Sequence, residues 1–320
     1  MSFKGMSFRS GLLLVTAVVA LAAPPQARAA DFINILTGGQ AGVYYPLGVA
    51  VEKLIAANMK DVRPSTQATK ASVENLQLLE DGKGEIAFTL GDSLQFAWDG
   101  NEDAGFKAPL KKLRVIGGIY PNYVQIVASK DSGIRSLTDM KGKRLSVGAP
   151  KSGTELNSRA ILQGAGMSYK DLGKVEYLPF AESVDLMKNR QLDSTLQSAG
   201  LGVSSLRDLA TSIDMVVVEV PADIIKKVGA PYAAGVIPKG TYQGQDKDVT
   251  TAVIPNYLVT RANLSDDMVY QMTKAIYDNI PALIAAHSAA KDIDLKQAAK
   301  NLPIPMHPGA EKYFKEKGLM

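Results

Sequence analysis

The chain has 320 residues, of which 46% are hydrophobic and 21% charged, a composition typical of a folded protein with one large or two medium domains. It contains no cysteine, which excludes disulfides, thiol catalysis, thiolate metal sites and a lipid-anchored cysteine. The formal net charge is +4, but Lys4, Arg9 and Arg28 lie in an N-terminal segment without acidic residues. Loss of that segment would leave a net charge of +1, which is too small to favour a nucleic-acid partner.

The first 29 residues have the features of a secretory signal. A basic start with Lys4 and Arg9 precedes the apolar run GLLLVTAVVALAA, and Ala27-Arg28-Ala29 matches a small-x-small cleavage site. The run is short for a membrane span, and no later run of about 18 apolar residues follows. An uncleaved N-terminal anchor is the alternative. We expect residues 1–29 to be a cleavable signal peptide and the mature chain to be exported to the periplasm.

Beyond this segment, strand-like and helix-like patterns alternate. Strands are predicted for FINILTG, VRPSTQAT, EIAFTLGDS, LRVIGGIY, YVQIVAS, the end of SLTDMKGKRLSVGAP, KVEYLPF, LDSTLQSAG and IDMVVVEV. Helices are predicted for YYPLGVAVEKLIAAN, KASVENLQLLEDGKG with Ser72 as N-cap, SGTELNSRAILQGAG, AESVDLMKNR, and the segment after the N-cap Ser265. Repeated strand–helix–strand units predict a mainly parallel α/β sheet.

The number of strands predicts two lobes. The predicted strands are too many for one small sheet. The sequence shows no internal repeat and no linker between two halves. We therefore expect the chain to cross between two lobes on the paired segments PNYVQIVAS and TTAVIPNYLVTRA. Residues 30–121 and 254–320 are predicted to form lobe 1, and residues 122–253 to form lobe 2.

Four strand-to-helix turns share one character: TGGQAGVYY, TQATKASVEN, GAPKSGTEL and PFAESVD. Each places small or hydroxyl-bearing residues at a helix N-terminus, where unpaired N–H groups and the helix dipole suit carboxylates or phosphates. GAPKSGT lacks the P-loop lysine, and GGQAG lacks the dinucleotide glycine spacing. A single turn of this kind is usually a plain connection, but four together indicate a ligand cleft.

Catalysis has little support in the sequence. His287 and His307 are the only histidines, and we interpret His287 as a cation at a helix C-terminus and His307 as a packing or capping residue. No metal-ligand spacing is present, and Gly91-Asp92-Ser93 lacks the pattern of a nucleophile elbow. We predict no catalytic residue, no metal and no cofactor, hence not an enzyme. A periplasmic enzyme on a similar two-lobed fold is the alternative function, and an exported adhesion protein a third.

Six segments in order carry a resemblance to a known family: TGGQAGVYYPLG, ATKASVENLQLLEDGKGEIAF, DSGIRSLTDMKGKRLSVGAPKSGTEL, IPKGTYQGQDKDVTTAVIPNYLVTR, DDMVYQMTKAIY and IPMHPGAEKYFKEKGL. Together with the N-terminal signal, they make essentially the whole mature chain resemble the TAXI class of solute receptors. These are the substrate-binding proteins of tripartite ATP-independent periplasmic (TRAP) transporters.

The resemblance implies a type II periplasmic-binding-protein fold, with two α/β lobes joined by paired hinge strands and a ligand cleft between them. It implies capture of a small anionic solute by lobe closure. The solute would be an amino acid such as glutamate or glutamine, or a dicarboxylate such as 2-oxoglutarate. It also implies delivery to the membrane permease subunits of a TRAP transporter, and we expect the receptor to act as a monomer.

The resemblance further implies a set of ligand-binding residues. These are Gly42, Val43 and Tyr44 in the first turn, Thr69 and Ser72 at the second helix, Asp92 as an acceptor for an ammonium, Tyr120 at the crossing, Ser152, Gly153 and Thr154 in a carboxylate-holding turn, and Ser198 and Gly200 after a lobe 2 strand. Gln40, Lys70 and Lys151 stand where relatives often have glycine, and STLQSAGLG is less aromatic than usual. The two lysines either supply a cation to the site or are solvated loop residues.

Overall fold

The computed structural model describes residues 1–2, 5 and 30–320. The predicted signal peptide falls almost entirely outside the described residues and stays a prediction. Among residues 30–320, no helix combines the length and the hydropathy that a bilayer crossing needs.

The described chain alternates strands and helices. The strands are β1 (Asp31–Leu36), β2 (Val62–Gln67), β3 (Ile86–Leu90), β4 (Leu113–Gly118), β5 (Asn122–Ser129), β6 (Arg144–Ser146), β7 (Lys174–Glu176), β8 (Ser194–Ala199), β9 (Met215–Val218), β10 (Ala233–Ile237), β11 (Val249–Ile254) and β12 (Asn256–Arg261). The helices are α1 (Tyr44–Asn58), α2 (Ser72–Glu80), α3 (Gly91–Asp99), α4 (Gly153–Gly164), α5 (Phe180–Lys188), α6 (Ser204–Ser212), α7 (Ala222–Val228), α8 (Asp266–Tyr277), α9 (Ile280–Ala286) and α10 (Pro308–Glu316).

These strands form two sheets. The first has the order β2-β1-β3-β12-β4, and the second has the order β10-β11-β5-β8-β6-β7 with β9 also paired to β5. We use lobe 1 and lobe 2 for the parts built on the first and the second sheet. The strands of lobe 1 lie within residues 31–118 and 256–261, and those of lobe 2 within residues 122–254. The lobe limits given above at residues 121/122 and 253/254 stay a prediction.

The prediction of mainly parallel sheets is wrong, because both sheets are mixed. β1 is parallel to β2 and β3, and β6 is parallel to β7 and β8. In contrast, β12 runs antiparallel to β3 and β4, and β5 runs antiparallel to β8, β9 and β11. β5 and β12 are the strands on which the chain enters a new lobe, and each arrives in the direction opposite to the strands around it.

The two crossings between the lobes lie side by side. Residues 119–121 connect β4 to β5, and Pro255 alone connects β11 to β12. Ile119 N of the first connection donates to Asn256 O, directly after the second, at 2.9 Å, and Gly91 N at the start of α3 donates to Pro255 O at 2.9 Å. Asn256 Nδ2 also donates to Tyr120 O at 3.0 Å. Paired connections of this kind have the geometry of a hinge.

The C-terminal helices return to lobe 1. His307 N donates to Val115 O on β4, which fixes the segment before α10 at the edge of the first sheet. His307 caps α10, since its Nδ1 accepts from Gly309 N, in agreement with the predicted capping role. The interpretation of His287 as a cation is wrong. Its Nδ1 accepts from Ala289 N, and burial lowers its pKa, so the imidazole is favoured in its neutral form.

Candidate ligand-binding site

A cavity of about 590 Å³ lies between the lobes and is lined by residues of both. Its size is that of sites for small molecules. All four turns singled out in the sequence reach it, through residues 38–44, 69–72, 149 and 152–154, and 179–181. The structure thus brings together the N-terminal ends of α1, α2, α4 and α5 around one space.

The first turn shapes the lobe 1 side of the cavity. Gly42 N donates to Gly39 O at 3.0 Å, which closes the turn before α1. A side chain at Gly38 would place its Cβ 3.3 Å from the Cβ of Ala71, a tight contact, so glycine favours the close approach of the first and second turns. Tyr44 is buried, and its hydroxyl donates to Asn256 Oδ1 at 2.6 Å. Tyr44 therefore ties the cavity wall to the hinge.

The second turn is held by its own hydroxyl groups. Thr69 Oγ1 lies 2.6 Å from Asn75 Oδ1 and accepts from Ala71 N, so this hydroxyl orders the turn. Ala71 takes a φ of 72°, a region that non-glycine residues rarely adopt. The prediction of Ser72 as N-cap is wrong, because Ala71 occupies that position without a side-chain bond. Ser72 Oγ instead accepts from Leu90 N at 3.1 Å and joins α2 to the end of β3.

The third turn forms the lobe 2 side. Ser152 is the N-cap of α4, and its Oγ accepts from Glu155 N at 3.1 Å. Gly153 lies against lobe 1: a Cβ there would be 2.5 Å from Leu90 Cδ1 and 2.7 Å from Ser72 Oγ. The lobes can approach this closely only because Gly153 has no side chain.

Three polar atoms in the cavity wall have no partner within the protein. They are Tyr120 Oη, Asn122 Oδ1 and Ser198 Oγ, all buried. Asn122 Nδ2 donates to Ser198 O at 3.1 Å, which orients the amide and leaves its oxygen as a free acceptor. Buried polar atoms without partners are rare and costly, so this part of the wall is suited to a ligand that supplies hydrogen bonds.

The lining carries little charge. Of the described residues around the cavity, Lys70 is the only one whose side chain is charged at neutral pH, and it is exposed at the rim. Burial raises the pKa of Tyr44 and of Tyr120 above the ordinary tyrosine value, so both remain neutral. Within residues 30–320, no group of three or more histidine, aspartate or glutamate side chains is placed to hold a metal ion. Positive potential in the cavity therefore comes from helix N-termini and one lysine.

Every predicted binding residue except Asp92 and Gly200 lines this cavity. Asp92 lies outside it, and its carboxylate accepts from Ser93 N, Asn157 Nδ2 and Tyr232 Oη at 2.6–2.7 Å. Gly200 has a packing role, because a Cβ there would be 2.6 Å from the Cβ of Ala289 and 3.0 Å from the ring of Tyr120.

Asn122 and Phe180 are among the lining residues that were not predicted as binding residues. Asn122 lies in the crossing segment PNYVQIVAS, and a polar residue directly after the crossing proline was the available signal. Phe180 begins α5 in the fourth turn, and its ring lies 3.8 Å from where a Cβ of Gly42 would be, so it faces the first turn across the cleft. An aromatic residue at the start of a helix in one of the four turns was the available signal.

A model of the NMT1-like family matches residues 35–318. The fold is similar to that of PhnD1 from Prochlorococcus marinus in complex with methylphosphonate, with a TM-score of 0.57 and 12% identity over 91% of this chain and 99% of that one. It is also similar to an ancestral arginine-binding protein bound to arginine, with a TM-score of 0.50 and 14% identity over 82% and 99%. A putative L-cystine ABC transporter protein from Listeria monocytogenes matches with a TM-score of 0.50 and 15% identity over 83% and 99%.

At these identities the similarity shows the fold. The predicted two-lobed α/β fold of periplasmic binding proteins is confirmed. By their names, one of the three structures is an arginine-binding protein, one is a putative ABC transporter protein, and PhnD1 was solved in complex with methylphosphonate.

Proposed function

The chain belongs to the NMT1-like family, and from this premise we propose that it is a solute receptor of the TAXI type. It captures a small anionic organic solute in the periplasm and delivers it to the membrane permease subunits of a TRAP transporter. The six ordered segments of the sequence support the TAXI assignment. The observation that carries the binding role is the convergence of four helix N-termini, from both lobes, on one cavity.

The charges around the cavity favour an acid without an ammonium group. Backbone N–H groups at the starts of α1, α2, α4 and α5 can hold a carboxylate. An ammonium buried in the same space would need an acidic partner, and no described lining residue is acidic. Asp92, the predicted acceptor, has its oxygens occupied by other donors. Among the solutes implied by the resemblance, a dicarboxylate such as 2-oxoglutarate therefore fits better than glutamate.

Lobe closure is the mechanism that we propose for capture. Hydrogen bonds join the lobes across the cleft. Glu74 N donates to Lys151 O at 3.1 Å, Ser204 Oγ donates to Ala41 O at 2.9 Å, and Arg159 Nη1 donates to Asp103 O at 2.6 Å. These bonds support our interpretation of the structure as a closed form. A solute that contacts both lobes favours this form over an open one, and the permease recognises the closed receptor.

Thermal unfolding tests the ligand class with a matched pair of compounds. 2-Oxoglutarate and glutamate share a carbon skeleton and both carboxylates, and they differ at the carbon that bears the keto or the amino group. We expect 2-oxoglutarate to raise the Tm of the refolded protein by several degrees, because a ligand at a hundredfold its Kd stabilises by about 2.7 kcal/mol. Glutamate is expected to give a smaller shift.

The control for this measurement is a neutral sugar, which should leave the Tm unchanged. A larger shift with glutamate than with 2-oxoglutarate would overturn the ligand class and leave the receptor role intact. Recovery of the added acid in chemically altered form would favour the alternative of a periplasmic enzyme.

A further inference from the structure

A buried polar cluster joins the lobes beside the cavity without lining it. It consists of Asp92, Ser93, Asn157 and Tyr232, and we call it the Asp92 cluster. Asp92 and Ser93 lie in the first turn of α3 in lobe 1, Asn157 lies on α4 in lobe 2, and Tyr232 precedes β10 in lobe 2. None of the four is among the residues around the cavity in the described chain.

The Asp92 carboxylate is surrounded by donors. Asn157 Nδ2 and Tyr232 Oη donate to Oδ2 at 2.6 and 2.7 Å, and Ser93 N donates to Oδ1 at 2.6 Å. Asn157 Nδ2 also lies 2.8 Å from Tyr232 Oη, so the two lobe 2 residues position each other. Asp92 is 1% exposed and Asn157 is fully buried. A carboxylate this deeply buried is tolerated only when its oxygens are hydrogen-bonded.

The two lobe 2 donors can reach Asp92 only when the lobes are together. Asn157 is 65 residues and Tyr232 is 140 residues from Asp92 in the chain, and both lie on the far side of the hinge. Separation of the lobes would break both bonds and expose the carboxylate to water. The hydrogen bonds of the cluster that cross the cleft are therefore specific to the closed form.

We propose that Asn157 and Tyr232 are positioning residues, which sustain lobe closure by donating to the buried Asp92 and so set solute affinity without contacting the solute. This inference rests on the closure mechanism of the proposed function. It gives Asp92 a role across the cleft in place of the predicted contact with an ammonium.

The charge of the cluster makes closure depend on pH. Burial raises the pKa of Asp92 in the closed form, opposed by the hydrogen bonds from Tyr232, Ser93 and Asn157. The titratable groups that face Asp92 are Tyr232 and Tyr44, and burial raises the pKa of both, so they stay uncharged. A pKa that is higher in the closed form than in the open form means that closing binds a proton. The free energy that this proton binding contributes to closure is fully present at a pH below the open-form pKa. It is lost as the pH rises through the closed-form pKa.

A cross-link between the lobes measures closure without any solute. Glu74 and Lys151 face each other across the cleft with a backbone hydrogen bond of 3.1 Å, and the chain has no cysteine of its own. In a protein carrying Glu74→Cys and Lys151→Cys, the initial rate of disulfide formation in a glutathione redox buffer reports how often the lobes close. Adding Tyr232→Phe removes one donor to the buried carboxylate. We expect the equilibrium constant for closing, and with it the initial rate of disulfide formation, to fall about ten- to a hundredfold.

Tyr177→Phe is the matched control. Tyr177 is also in lobe 2, is 45% exposed and lies outside the Asp92 cluster. Removal of its hydroxyl should therefore leave the rate of disulfide formation unchanged. Equal rates for the Tyr232→Phe and Tyr177→Phe proteins would overturn the inference. A cysteine pair that fails to cross-link even with Tyr232 intact would instead overturn the closure mechanism on which the inference rests.

Asn157→Asp gives a second readout that damage to the fold would not reproduce. It places two carboxylates together across the cleft, and like charges at this distance raise the pKa of one of them strongly. We expect the cross-linking rate, relative to the protein with Asn157 at the same pH, to fall more than tenfold at pH 8 and to recover as the pH is lowered to 5. A ratio that does not change with pH would contradict the proposed contact between Asn157 and Asp92.

Discussion

Gly153→Ala is expected to weaken solute binding about tenfold or more while each lobe stays folded. Gly153 is the first residue of α4, where alanine is locally favourable. The added Cβ would be 2.5 Å from Leu90 Cδ1 and 2.9 Å from Ser93 Oγ, and both of these residues belong to lobe 1. Overpacking of this kind costs about 1–3 kcal/mol. Because the clash exists only when the lobes meet, the cost falls on the closed form.

Calorimetric titration with 2-oxoglutarate measures this effect, and Gly118→Ala is the control. A Cβ at Gly118 would lie 3.4 Å from the nearest atom, the Cα of Ala298, an ordinary contact within lobe 1. We expect Gly118→Ala to bind with nearly unchanged affinity. If Gly153→Ala bound as tightly as the control, the lobes would not close as the structure shows.

Phe314→Ala is expected to lower the free energy of unfolding by about 3–5 kcal/mol, the cost of removing a large buried aromatic side chain. Phe314 on α10 is fully buried. Its ring centroid lies 5.3 Å from the ring centroids of Tyr277 and Tyr313, in edge-to-face arrangements. Such pairs stabilise the fold beyond the burial of apolar surface. A Cβ at Gly117 on β4 would be 3.1 Å from Phe314 Cζ, which shows how closely α10 packs on the first sheet.

Urea unfolding followed by circular dichroism measures this loss, with Phe32→Ala as the control. Phe32 is 69% exposed on β1, so its truncation should change stability by less than about 0.5 kcal/mol. The comparison also tests the predicted division of the chain, in which residues 254–320 belong to lobe 1. Equal stabilities of the two variants would show that the C-terminal helices contribute little to that lobe.

Local sequence signals were sufficient for the elements and turns that depend on neighbours in the chain. The helix predicted for YYPLGVAVEKLIAAN coincides with α1, because its apolar spacing and Pro46 in the first turn are local features. The four cavity turns were found for the same reason, since the residue types that begin helices are also those that bind anions. In contrast, the strand predicted for EIAFTLGDS ends at Leu90, and Gly91 begins α3. The burial of Gly91, Asp92 and Ser93 depends on packing that the local pattern does not contain.

Features that depend on distant residues could not be predicted. The partner of the Tyr44 hydroxyl is Asn256, which is 212 residues away, and the donors to Asp92 come from the other lobe. The resemblance implies a ligand contact for Asp92, and its hydrogen bonds to Asn157 and Tyr232 of the other lobe could not be seen in the sequence. Strand direction was mispredicted for a similar reason, because β5 and β12 pair with strands from other parts of the chain.

Small-angle X-ray scattering of the refolded protein, with and without saturating 2-oxoglutarate, tests most directly whether this chain is a receptor that closes on an acidic solute. In the structure the cavity lies between the lobes and hydrogen bonds cross the cleft, as we expect of a closed form. We predict that the radius of gyration decreases when the acid is added, and that the sugar control leaves it unchanged. A radius that stays constant at an acid concentration that raises the Tm would show binding without closure and would contradict the account.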